Sequence, residues 1–189
     1  MIIDDFLVQA KTGLYCVYGD FYLDPKVPVK HAVISHAHGD HAYPGNAEVY
    51  CTRSTSLFMK HRYRNEAAGQ FHIKDYKESF ILNGVEISFI PAGHILGSGQ
   101  VLMVYQGTRY LYTGDFKLQA DASCEALEFV KSDVLITETT FADPATQHPV
   151  AEQEILKLNG TGSNIMLGAY VLGKSQRLIQ LIDRYCPEK

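Results

Sequence analysis

Between Ser35 and His41 the chain reads Ser-His-Ala-His-Gly-Asp-His, so His36, His38, Asp40 and His41 fall within one short loop. Imidazoles and a carboxylate in that order suit a borderline cation such as Zn²⁺, which takes nitrogen and carboxylate ligands. The apolar run Ala32-Val33-Ile34 just ahead reads as a buried strand. Alternation along an extended segment points His36 and His38 the same way. Gly39 permits a tight turn, which swings Asp40 and His41 towards a second point. That point lies about 3.5–4 Å away if a metal pair is held. A solvated, histidine-rich surface loop is the plainer alternative, but an apolar strand running straight into the cluster favours metal.

Three more candidates share one placement. His94 in Pro91-Ala92-Gly93-His94, Asp115 in Thr113-Gly114-Asp115-Phe116 and Glu138 after Val134 to Thr137 each sit just past an apolar strand. Strand ends of a sheet converge on one rim, so residues distant in sequence meet there. His94 alone would read as a structural histidine; flanked by Gly93 and Gly97-Ser98-Gly99 it reads as a ligand. The backbone of Gly97-Ser98-Gly99 is either a phosphate cradle or a plain turn. The basic run Lys60-His61-Arg62-Tyr63-Arg64 either touches phosphates and a base or is a solvated helix end, where cations are favoured in any case.

The elements that must position these residues are legible from patterning. Leu7-Val8, Leu14 to Cys16 and Phe21 to Leu23, separated by Gly13 and Gly19-Asp20, have the grammar of hairpins. Asp24-Pro25 reads as a turn feeding the metal-loop strand. Glu48 to Cys51 is a strand, and Thr52-Arg53-Ser54 opens a helix. Asn83-Gly84 is a hairpin turn between Phe80 to Leu82 and Val85 to Ile90. Val101 to Tyr105, Tyr110 to Thr113 and Val134 to Thr137 are further strands. Pro149 to Leu158 reads as an amphipathic helix, Asn164 to Leu167 as a strand, and Lys174 to Tyr185 as a helix.

Composition sets the outer limits. The 189 residues suit one domain, or a large part of a bigger one, and the formal charge of −4 gives nucleic-acid binding no support of its own. No apolar run approaches the ~20 residues of a membrane span, and the acidic start Met1-Ile2-Ile3-Asp4-Asp5 is unlike a secretory signal. Cys16, Cys51, Cys124 and Cys186 form no C-x-x-C pair and read as reduced thiols. A cytoplasmic protein is expected.

Taken together, these residues resemble the metallo-β-lactamase fold. His36-x-His38-x-Asp40-His41 is similar to its second motif, His94 to its third and Asp115 to its fourth. The likeness extends to the β-CASP nucleases of that fold, through Glu138 in Glu-Thr-Thr-Phe-Ala-Asp-Pro and through Gly93-His94-Ile95-Leu96-Gly97-Ser98-Gly99-Gln100. It is greatest to bacterial ligase-associated DNA exonucleases, often labelled mRNA 3′-end processing factor-like. Those resemble this chain in Gly13 to Pro25 and again in Gly168 to Ile182. The resemblance implies an α/β fold, an αββα sandwich incomplete at its C-terminus. Residues 1–148 would be the N-terminal part of a metallo-β-lactamase domain, and 149–189 the start of a β-CASP-like region. Family members continue further and return with another metal-ligand histidine and a catalytic histidine. Here no histidine follows His148, so a fragment or truncated gene product is expected.

The same resemblance implies a mechanism. One Zn²⁺ would be held by His36, His38 and His94, and a second, weakened site by Asp40 and His41, with Asp115 bridging. A hydroxide nucleophile would attack a nucleic-acid phosphodiester, in DNA repair or RNA processing, with Asp40, Asp115 and Glu138 as the catalytic carboxylates. Glu138 would orient a ligand imidazole, and Lys174 would contact a backbone phosphate or stay solvated. Expected partners are DNA or RNA, a DNA ligase or helicase, and a second copy through open sheet edges; no membrane is expected. Two alternatives stay open: a small-molecule metallo-hydrolase of thioesterase or lactonase type, and a metal-binding domain without turnover.

Overall fold

Apolar alternation builds two sheets whose facing sides bury one core. The computed structural model describes residues 2–188 and divides into two units, Met1–Ala120 with Cys124–Glu138, and Asp121–Ser123 with Thr139–Lys189. In the first unit, sheet A runs β1 (Leu7–Ala10), β2 (Gly13–Cys16), β3 (Phe21–Leu23), β4 (His31–Val33), β5 (Asn46–Cys51) and β6 (Ala68–Ile73) in sequence order. The first three strands are antiparallel meanders, whereas β3 to β6 pair in parallel. Parallel neighbours need a crossover. Between β5 and β6 the crossover is helix α1 (Arg53–Tyr63); between β4 and β5 it is the loop that carries His36 to His41.

Sheet B has the order β11 (Val134–Ile136), β10 (Thr108–Tyr112), β9 (Gly99–Tyr105), β8 (Val85–Pro91) and β7 (Phe80–Leu82). The β7–β8 turn is Asn83-Gly84, with φ of 45° and 86°, the doubly left-handed backbone that this dipeptide favours in two-residue hairpins. Odd positions of β8 (Val85, Ile87, Phe89) meet Val101, Met103 and Tyr110 of sheet B and Phe21, Leu23 and Val33 of sheet A in one buried cluster. Each of these large side chains contributes about 1.5–3 kcal/mol by leaving water. On the other side of sheet A, Ala32, Ile34, Val49 and Cys51 pack under Met59 of α1. On the other side of sheet B, Ile90, Leu102 and Leu111 pack with Val130. The unit therefore has the mixed α/β, two-sheet architecture of the metallo-β-lactamase sandwich.

Helix α1 starts where Thr52 caps it, accepting from the Thr55 N–H at 3.3 Å while its own hydroxyl donates to the Gly97 carbonyl at 2.6 Å. The cap thus fastens the helix to the loop that follows His94.

The second unit holds α2 (Ala151–Leu156) and α3 (Lys174–Tyr185), packed on one another. The Cys186 thiol donates to the Ile155 carbonyl at 3.2 Å, and Arg177 pairs with Asp121 at 3.5 Å. The strand expected at Asn164 to Leu167 is irregular backbone instead. It pairs with no strand among the described residues, and Met166 stands 96% exposed. An apolar run becomes a strand only where a neighbouring edge is available. No helix among the described residues is long and apolar enough to cross a membrane.

Candidate metal centre

The candidate residues all follow the carboxyl ends of strands, but from both sheets, not one rim of one sheet. His36 to His41 follow β4 of sheet A; His94, Asp115 and Glu138 follow β8, β10 and β11 of sheet B. The two sheets are stitched together at this edge. Gly99 donates to the Ser35 carbonyl at 2.8 Å, and Gly114, at φ 53°, lies so close to Ser35 that a Cβ there would meet its Oγ at 2.7 Å.

At this edge His36 Nε2 stands 3.1 Å from His38 Nδ1, which stands 3.1 Å from His94 Nε2. Asp115 Oδ2 faces the group at 3.8 Å from His36 Nε2 and 3.5 Å from His94 Nε2. Within 4.8 Å of one another, these four ligand atoms could hold a metal ion. The other oxygen of Asp115, Oδ1, faces His41 Nε2 at 3.3 Å, and Asp40 Oδ2 lies 3.8 Å from the same nitrogen. Asp115 therefore looks towards both groups with different oxygens. The turn that separates them closes with His41 and Ala42 N–H donating to the His38 carbonyl at 3.1 and 2.8 Å. Gly39 sits in it without a left-handed φ, so the turn needs no glycine there.

Behind the imidazoles lies a residue whose sequence context, Asp-Pro after a strand, reads as a turn. Asp24 follows β3, is 6% exposed, and takes the left-handed φ of 43° that Asp tolerates better than most residues. Its Oδ1 accepts the Ser35 N–H at 2.7 Å; its Oδ2 accepts the Ser35 hydroxyl at 2.5 Å, His41 Nδ1 at 2.8 Å and the Tyr112 hydroxyl at 3.0 Å. Ser35 Oγ, having spent its proton on Asp24, accepts from His36 Nδ1 at 3.0 Å. With their Nδ1 atoms held by Ser35 and Asp24, His36 and His41 both turn Nε2 towards the centre. This is the role of carboxylates behind metal-ligating histidines. Asp24 obeys the same strand-end rule as the other candidates, but the Asp-Pro pair that it forms is equally the mark of a turn.

Charge in the centre is unevenly held. Burial lowers His36 well below its usual range, with His41 adding to the effect, and burial lowers His94 to about 4 despite Asp115. Burial also acts to lower His41, yet Asp115 and Asp24 outweigh it and raise the imidazole to about 10. The hydrogen bond from His41 holds Asp115 at about 2.

Other expectations separate here. Glu138 Oε1 accepts the Phe116 N–H at 3.1 Å; among the described residues it hydrogen-bonds to no imidazole and instead fixes the backbone beside Asp115. The N–H groups of Gly97, Ser98 and Gly99 are spent on Glu125, Ile95 and Ser35, so this segment is a turn with no free cradle. His148 lies in the second unit with its ring against Phe141, and Lys174 there sits 4.7 Å above the Tyr170 ring.

No protein-family model matches the chain. It is similar to a probable DNA ligase of Opitutus terrae, 32% identical over 182 residues, 91% of this chain and 18% of that protein. It is 26% identical over 197 residues to the endoribonuclease ysh1 of Aspergillus fumigatus, covering 98% of this chain and 22% of the relative. An RNase J-like protein of Methanocaldococcus jannaschii is 26% identical over 197 residues, 85% of this chain and 46% of that protein. The chain thus spans less than half the length of each of these relatives. With the two-sheet architecture and the strand-end cluster, these likenesses place the chain in the metallo-β-lactamase fold, in its β-CASP nuclease branch.

Proposed function

We propose that this chain carries the metal centre of a zinc-dependent phosphodiesterase acting on nucleic acid. The observation that carries the reading is Asp115, whose two oxygens face two separate donor groups. Nitrogens bound at about 2.0–2.1 Å to one tetrahedral zinc stand about 3.3–3.4 Å apart; the 3.1 Å separations of His36, His38 and His94 fit that spacing. A first zinc would take these imidazoles and Asp115 Oδ2; a second would take Asp40, His41 Nε2 and Asp115 Oδ1. Bound there, the pair would acidify water and neutralise phosphoryl charge during in-line displacement.

The chain's own residues do the rest. Asp24 and Ser35 fix the imidazole protons on the outer nitrogens, and Glu138 steadies the Asp115 backbone through Phe116. The names of the relatives, an endoribonuclease and an RNase J-like protein, support a nucleic-acid substrate. The probable DNA ligase supports partnership with a ligase, which co-purification from a cell extract would check.

The test is hydrolysis of bis(p-nitrophenyl) phosphate and of single-stranded DNA and RNA, with and without added zinc. Cleavage that a chelator abolishes and zinc restores, and that Asp115→Ala and His38→Ala each lose, is the expected result. No cleavage at any metal concentration would remove the reading.

A further inference from the structure

The basic run at the end of α1 divides by helical phase. Met59 points into the core under sheet A and Tyr63 packs beside it. Lys60 lies 4.9 Å above the Phe71 ring, away from the metal loop. Among the described residues Arg62 is the cation of the run that bonds to that loop, where its Nη1 donates to the Ala37 carbonyl, between His36 and His38, at 2.7 Å. Among the described residues its contacts are this carbonyl and the Tyr63 ring, 5.5 Å away, and it pairs with no carboxylate. The residue is exposed.

Next to this guanidinium the loop carries no side chain. Gly39 is exposed, its φ is not left-handed, and a Cβ there would find Tyr63 Oη at 3.8 Å and Arg62 Nη1 at 4.0 Å, ordinary contacts. Neither backbone conformation nor crowding calls for glycine. The site differs in this from Gly114, Gly93 and Gly97, where a Cβ would lie 2.7 Å or less from its neighbour. What glycine does supply at position 39 is a bare patch between His38 and Asp40, edged by a cation and a phenol hydroxyl.

We infer that a single-stranded nucleic acid crosses the metal loop over Gly39, with a backbone phosphate next to the reacting one held by Arg62 and Tyr63 Oη. The inference rests on the nucleic-acid reading above, and names the side of the centre from which the strand approaches. An unpaired guanidinium is the donor that suits a phosphate, and contacts of this kind track a strand without reading its sequence.

The experiment is binding of a fluorescein-labelled single-stranded oligonucleotide to the zinc-loaded chain, followed by anisotropy over a salt series. Gly39→Leu weakens binding at least tenfold while zinc content and melting temperature stay at the parent values. Arg62→Gln lowers the slope of log affinity against log salt by about 0.7, the share of one single-strand phosphate, and Tyr63→Phe weakens binding several-fold with the slope unchanged. Unchanged affinity in Gly39→Leu, or an unchanged salt slope in Arg62→Gln, overturns the inference, as does a parent chain that binds no oligonucleotide. Cleavage is read separately: a parent chain that binds but never cleaves, with the variants weakened as stated, keeps this strand path and removes the hydrolase reading.

Discussion

Asp24 Oδ2 stands 2.8 Å from His41 Nδ1, and through the Ser35 hydroxyl the same carboxylate also sets the proton of His36. One buried side chain therefore orients an imidazole in each of the two donor groups. Asp24→Ala removes both constraints and leaves the Tyr112 hydroxyl without its acceptor. Outer carboxylates of this kind are worth about 10–100-fold in metal affinity. Asp24→Ala is expected to lose that much in zinc affinity by competition with a chromophoric chelator; affinity within twofold of the parent would mean that the imidazoles orient themselves.

The metal-free chain should be most stable near pH 6.5. His41 is raised from 6.5 to about 10, so its contribution is complete below pH 6.5 and is lost as pH climbs through about 10. His94 is lowered from 6.5 to about 4, so its neutral form stabilises the fold above pH 6.5, and that contribution is lost as pH falls through about 4. His36, also lowered, adds to the acid side. Denaturant midpoints of chelator-treated protein from pH 4 to pH 10 should trace a peak; a flat or monotonic profile contradicts these assignments.

Gly114→Ala should be costly. The residue sits at φ 53°, and the added methyl would lie 2.7 Å from Ser35 Oγ and 2.8 Å from Ser35 Cβ, on the seam between the sheets. Left-handed strain alone costs about 1–3 kcal/mol, and the contact pushes Asp115 away from the imidazoles. A melting point lower by several degrees together with weakened zinc binding is expected. A parent-like melting curve would show that the seam yields freely.

Thr52→Val tests the tie between α1 and the loop after His94. It deletes the cap to Thr55 and the bond to the Gly97 carbonyl, leaving that carbonyl with Thr55 Oγ1 at 3.2 Å. Lost caps cost about 1 kcal/mol, so a loss of about 1–2 kcal/mol in equilibrium unfolding is expected, and an unchanged value counts against the tie.

Much of this was legible in the sequence because alternation is strong where both sheet faces are buried. Val85, Ile87 and Phe89 declare their strand, and Lys174 to Tyr185 its helix, from pattern alone. The histidine loop was legible because its spacing is short. Asp24 was not, since an Asp-Pro pair after a strand also signals a turn, and only burial distinguishes the two. The meeting of two sheets at this edge, where pattern suggests one rim, rests on contacts between residues far apart in sequence, such as Gly99 with Ser35 and Tyr112 with Asp24, which have no local signature. Nor does pattern say which cation of Lys60 to Arg64 reaches the metal loop; that depends on where α1 lies over sheet A. Asn164 to Leu167 has a strand's composition but no partner strand among the described residues.

The central claim is that Asp115 joins two metal groups. Its most direct test is zinc content by elemental analysis after dialysis, for the parent chain, His38→Ala, Asp40→Ala and Asp115→Ala. Two zincs in the parent, one in His38→Ala and in Asp40→Ala, and fewer than one in Asp115→Ala is the predicted pattern. A parent chain with one zinc or none, or a count that Asp115→Ala leaves unchanged, would contradict it.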